Sequence, residues 1–101
     1  MIKYRLLPAA KADLRGIWRY SSKEWSRAQA NGYIRSINDA IDRLAEGRLM
    51  SRPIDSIRPG YRKLSVGSHF VIFSHDDDGM ISVVRILHQR MDVLAHLPPE
   101  P

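Results

Sequence analysis

The residues best equipped for chemistry gather at the end of the last apolar run of the chain, where Arg85, His88 and Arg90 follow one another; Arg62 opens an earlier run. An imidazole that titrates near neutrality beside guanidinium groups is suited to acid or base work on a phosphodiester. For cleavage of RNA, His88 would move the proton, while Arg62, Arg85 and Arg90 would hold the phosphate. No tyrosine follows Tyr61 to join them. Basic residues at a strand end serve partner binding more often than catalysis, so no catalytic residue is expected. The same four, with Trp18 and Trp25, are expected to touch a partner instead. Arg85 stands among apolar neighbours and therefore needs a carboxylate, a phosphate or backbone carbonyls. An ion pair with Asp42, Glu46 or Asp92 and a functional role both satisfy that need.

Other chemical sets are weaker. Aligning the glycine of Asp76-Asp77-Asp78-Gly79 with that of a calcium-binding EF-hand loop places Ser74 at the first ligand position and Arg85 at the twelfth, where a bidentate Glu is required. The run is therefore a solvated hairpin turn. His69, His75, His88 and His96 include no helical i,i+4 pair and have no thiolate companions. His69 and His75 are about 20 Å apart along one strand. No metal and no cofactor is expected. Arg15, Arg19, Lys23, Arg27, Arg35 and Arg43 fall on helix faces, which are either simply solvated or able to dock an acidic chain.

The elements that must position these residues follow from local pattern. Tyr61 to Met91 holds the densest β-branched and aromatic runs and reads as three strands joined by two hairpins. Gly67-Ser68 suits a type II′ turn and Asp78-Gly79 a second tight turn. Strict alternation places Ile81, Val83, Arg85 and Leu87 on one face of the last strand and Ser82, Val84, Ile86 and His88 on the other. Phe70 and Ile72 likewise oppose Val71 and Phe73. Both faces are apolar, so one is expected to lie under the chain's own helices and the other to await a partner.

Upstream, Ile2 to Leu7 alternates as an edge strand, and Pro8 opens a helix with Ala10, Leu14, Ile17, Trp18, Ser21 and Trp25 on one side. Ser26-Arg27-Ala28-Gln29 matches a capping box for a second helix, whose stripe runs through Ala30, Tyr33, Ile34, Ile37, Ile41 and Leu44 to a stop at Gly47. The two must fold into an antiparallel hairpin. Arg48 to Gly60 reads as a loop, and Asp92 caps a short helical turn through Leu97. The fold class is therefore α+β: N-terminal strand, helical hairpin, three-stranded antiparallel meander and short C-terminal helix. Residues 1–97 form the domain and 98–101 a mobile tail.

At 101 residues, with 44% apolar and 27% charged, the composition is that of one globular domain. The absence of cysteine excludes disulfides and thiolate metal sites. The N-terminal stretch carries Lys3 and Arg5 and has too short an apolar run for a signal peptide, and nothing approaches a membrane span. A cytoplasmic location is expected. A net charge of +5 favours an anionic partner, nucleic acid or acidic polypeptide.

With this order of elements the chain resembles ParE-type toxins of the RelE/ParE superfamily over nearly its whole length. The resemblance is carried by Tyr4-Arg5-Leu6 with Pro8, Ala12-Asp13-Leu14, Ile17-Trp18 with Tyr20, Arg58-Pro59-Gly60 before Arg62, and above all Val84-Arg85-Ile86-Leu87-His88-Gln89-Arg90-Met91-Asp92. It implies a bacterial toxin held in a hetero-oligomer by an antitoxin encoded beside it, whose C-terminal segment wraps the helices and sheet. ParE-type toxins act on DNA gyrase, which implies a binder without catalysis. RelE-type relatives cut messenger RNA on the ribosome with basic residues and often a C-terminal tyrosine. Arg62 and Arg85 occupy positions similar to those nuclease arginines, with His88 and Arg90 beside them, but that tyrosine is missing here.

Overall fold

The structure is a computed structural model that describes residues 4–99. Strand β1 (Tyr4–Leu6) leads into helices α1 (Pro8–Glu24) and α2 (Arg27–Ala45), followed by strands β2 (Arg52–Pro53), β3 (Tyr61–Val66), β4 (His69–His75) and β5 (Ile81–His88) and helix α3 (Val93–His96). The expected strand, helical hairpin, meander and short helix are all present. Ile2 and Lys3 of the expected edge strand, and Glu100 and Pro101 of the expected tail, lie outside the described residues.

Local chemistry shapes the hairpin. Pro8 starts α1, where its missing N–H needs no acceptor. The Ser26 hydroxyl accepts the Gln29 N–H at 3.0 Å and starts α2. Gly47 takes φ +75°, and the bonds from Arg48 N–H to the Arg43 carbonyl (2.8 Å) and from Gly47 N–H to the Leu44 carbonyl (3.0 Å) close α2 in a Schellman motif. The helices are pinned side by side by Trp18, whose indole N–H donates to Asn31 Oδ1 at 2.8 Å. Trp25 departs from expectation. It follows the last residue of α1, so it leaves the apolar stripe and is 71% exposed.

The sheet has the order β1-β5-β4-β3-β2, with β1 parallel to β5 and the other pairs antiparallel. Part of the expected 48–60 loop therefore joins the sheet, as the two-residue edge strand β2; at an edge, Pro53 can pair without an N–H to give. Gly67 adopts φ +56° in the β3–β4 turn while Ser68 stays at negative φ, as a type II′ turn requires.

Strict alternation fails in β5. Ile72 pairs with Arg85 but Phe73 pairs with Val83, so Val84 is the extra residue of a β-bulge. Beyond it the faces exchange. Ile81, Val83 and Ile86 join Leu64, Val71 and Phe73 beneath Ala10, Ile37, Ile41 and Leu44 of the helices. Val84 and Leu87 share the opposite face with Ile72. That second face does not wait for a partner, which corrects the expectation above. Ile54 from the β2–β3 connection, with Val93 and Leu97 at the C-terminus, packs over it, and Ile72 and Leu87 are fully buried. Ile54 stands singly in an aperiodic stretch, and Val93 and Leu97 lie four apart on a helical turn too short to show a repeat.

The bulge and the short β1 leave the outer edge of β5 unpaired after Val83, whose carbonyl takes the Leu7 N–H at 3.0 Å just before the chain turns into α1. Asp13 fills the place. Its Oδ2 accepts the Ile86 N–H and Arg85 Nε, and its Oδ1 accepts Arg85 Nη2, each at 2.8 Å. Arg85 Nη1 donates to the His96 carbonyl at 2.9 Å. The predicted need of Arg85 for a carboxylate is thus met by Asp13, not by Asp42, Glu46 or Asp92. The Asp92 side chain makes no cap bond on α3 either.

Replacing Asp13 with Ala strands a half-buried guanidinium and an edge N–H together, a loss of about 3 kcal/mol. The expected outcome is a fall in melting temperature of roughly 12 °C or more by calorimetry. A shift of about 2 °C or less would show that Asp13 does not hold α1 to the sheet.

Candidate functional site

The described surface carries an open groove lined mainly by apolar and aromatic side chains. It runs between the helical hairpin and the end of the sheet formed by Ser68, His69 and His88, and has a volume of about 990 Å³. Ala12, Gly16 and Tyr20 of α1 form one wall, Gln29, Tyr33 and Ser36 of α2 contribute another, and Ile86, Leu87, His88 and Met91 form the floor. Tyr20 (66% exposed), Trp25 (71%) and Met91 (46%) open onto it. Large side chains with an apolar body left this bare are the usual mark of a surface that another polypeptide covers. The expected uncovered apolar surface therefore exists, but beside the helices and not on the back of the sheet.

At the sheet end of the groove three polar rings meet. The Tyr33 hydroxyl lies 2.6 Å from His69 Nδ1 and accepts the Ser68 N–H at 3.0 Å. The same hydroxyl lies 3.4 Å from the Val66 carbonyl. The His69 and His88 rings stand edge to face with centroids 5.3 Å apart. His88 Nδ1 accepts the Arg90 N–H at 3.1 Å. Burial, then the neighbouring His88, push the His69 pKa below the usual imidazole value, with Asp13 opposing them. The site is thus a largely apolar trough ending in two imidazoles.

The predicted site residues divide. His88 lines the groove and Trp25 stands at its mouth. Arg90 follows His88 with its side chain exposed. Trp18 is half-buried and occupied between the helices. Arg62 lies elsewhere: it pairs with Phe73, level with Val83, whereas His88 pairs with His69, level with Val66, about 13 Å further along the strands. Its guanidinium is bound to the Ser51 hydroxyl at 2.7 Å and the Ser51 carbonyl at 2.8 Å. Arg85 is held by Asp13. The four residues of a phosphodiester site are therefore not brought together. Tyr33, His69, Tyr20 and Met91 escaped the sequence reading as groove residues; His69 faces His88 only through the β4–β5 register, which the bulge at Val84 shifts by one residue. Among the described residues no group of three or more His, Asp or Glu side chains is placed to hold a metal ion, and no helix is long and apolar enough to cross a membrane.

Comparison with known proteins decides the class. Residues 4–93 match the family model described as the ParE toxin of the type II toxin–antitoxin system parDE. The chain belongs to the ParE toxin family. Toxin ParE1 of Mycobacterium tuberculosis is 50% identical over 95 residues, covering 94% of this chain and 97% of that one. Toxin ParE1 of Caulobacter vibrioides is 40% identical over 97 residues (96% and 99%), and Toxin ParE of Escherichia coli 37% over 97 residues (96% and 94%). A solved chain from the chromosomal ParDE toxin–antitoxin system of P. aeruginosa superposes with a TM-score of 0.74 over 87% of this chain and 96% of that one. At 21% identity it shares the fold. The groove described above is therefore a feature of a ParE-family toxin.

The lowered His69 pKa carries a pH dependence. A histidine whose folded-state pKa is depressed contributes stability that is fully present above its unfolded value of about 6.5 and is lost as pH falls through the folded one. Melting temperatures measured between pH 7.5 and 5 should therefore drop more steeply for the parent than for His69→Gln. Parallel curves would contradict a lowered pKa for the half-buried His69.

Proposed function

We propose that this ParE-family toxin acts by binding and not by catalysis: it inhibits DNA gyrase and is silenced when a segment of its cognate antitoxin fills the groove. The observation that carries this reading is the trough between hairpin and sheet, with Tyr20, Trp25 and Met91 exposed along it. An apolar segment laid there would bury these side chains at about 25 cal/mol per Å² of apolar surface. An excess of cations over the whole chain would draw an acidic antitoxin toward it.

Binding without bond cleavage is supported by the arginines. Of the basic residues suited to hold a phosphate, Arg62 and Arg85 already spend their donors on Ser51, Asp13 and the His96 carbonyl. Freeing Arg85 would expose Asp13 and the Ile86 N–H unpaired. A gyrase poison needs neither arginine free.

Supercoiling of relaxed plasmid by purified gyrase tests the reading. Added toxin is expected to reduce supercoiling and trap the cleavage complex, and added antitoxin to restore activity. Unchanged supercoiling with no trapped complex would contradict it, and codon-positioned cuts in translated messages, read by primer extension, would replace it with ribosome-dependent cleavage of messenger RNA.

A further inference from the structure

Away from the groove, the outward face of α1 carries Lys11, Arg15, Arg19 and Lys23, each four residues from the next. All four are exposed, and none has a side-chain partner among the described residues. This sets them apart from Arg5, bound to Asp76 at 2.8 Å, Arg48, bound to Glu46 at 3.2 Å, and Arg85, bound to Asp13. Like charges at this spacing repel one another and work against the helix that carries them. The acids of α1 do not relieve it: Asp13 is turned to the sheet edge, and Glu24 is at the last helical position. A row of cations kept at the expense of its own helix calls for an anion outside the molecule.

We propose that this face of α1 lies along the phosphate backbone of duplex DNA. Successive cations rise about 6 Å along the helix axis and turn about 40° around it, so the row winds gently round α1 over about 18 Å, as a backbone strand of the duplex also winds. Duplex DNA presents one negative charge per roughly 1.7 Å, about ten over that length. An acidic polypeptide fits less well, because protein partners anchor through buried apolar side chains. The residues interspersed with the row are Pro8, Ala12 and Ser22, while the exposed aromatic ring of α1, Tyr20, belongs to the groove. Phosphate contacts of this kind position a protein without reading sequence. None of the four cations lines the groove, although Ala12 beside them does, so a polypeptide and DNA can be held together. The contact does not depend on gyrase being the target.

Fluorescence anisotropy of a labelled duplex of unrelated sequence, titrated with the full chain at several salt concentrations, tests the proposal. With four phosphates neutralised, log affinity should fall against log salt with a slope of roughly −3.6, a loss on the order of 10²-fold between about 50 and 200 mM. Arg15→Gln and Arg19→Gln should each shallow the slope by about 0.9, and the variant with all four cations changed to Gln should lose the binding while melting no lower than the parent. Arg43→Gln, on α2, should leave the slope unchanged. Absence of binding by the parent at low salt, or an undiminished slope in the Arg15 and Arg19 variants, would overturn the assignment. Poly-glutamate bound as tightly as the duplex would overturn it too, and give the face to an acidic polypeptide.

Discussion

The carboxylate of Asp13 governs the arrangement of this molecule. One side chain on α1 completes an unpaired strand edge, neutralises the guanidinium of Arg85 and, through Arg85, reaches the His96 carbonyl of α3. The side chains of Arg85 and Asp13 are 23% and 14% exposed, so solvent screens the pair only in part, and removal of one partner would strand the other. Helix, sheet edge and C-terminal turn are thereby fixed to one another. Because Asp13, Gly16 and Tyr20 follow along the same helix, fixing Asp13 also fixes one wall of the groove.

The other wall is set by Tyr33. Its hydroxyl joins α2 to the β3–β4 turn through Ser68 and His69. The turn in turn depends on Gly67: a Cβ there would stand 2.7 Å from the Tyr33 ring, at a positive φ that other residues rarely adopt. Hairpin and sheet are thus clamped at two points, and the trough between them remains open. A trough lined by apolar and aromatic side chains, with no arginine or lysine among its lining residues, suits a polypeptide segment far better than a phosphodiester, which asks for cations.

How much of this could be read in the sequence depended on the range of the interaction. The helical hairpin, the turns at Gly67 and Gly79, the Ser26 cap and the Gly47 stop each rest on residues a few positions apart, and each appears as expected. What escaped reading was non-local. Asp13 and Arg85 are 72 residues apart, and nothing near either one names the other. The bulge at Val84 is defined only against β4, and it reverses the faces of Arg85, Ile86, Leu87 and His88 that strict alternation predicts. Ile54, Val93 and Leu97 cover the back of the sheet from an aperiodic stretch and a helical turn too short to show a repeat. Of the candidate residues, His88 and Trp25 line the groove, whereas the engagement of Arg62 and Arg85 inside the fold required coordinates.

The proposed function has the antitoxin received in the trough beside the helical hairpin, with Trp25 at its mouth. Titration calorimetry of the cognate antitoxin against the parent and Trp25→Ala tests it most directly. An anchor of this size predicts at least about a tenfold loss of affinity, with the toxin's own melting temperature little changed. Equal affinities for parent and variant would contradict the account.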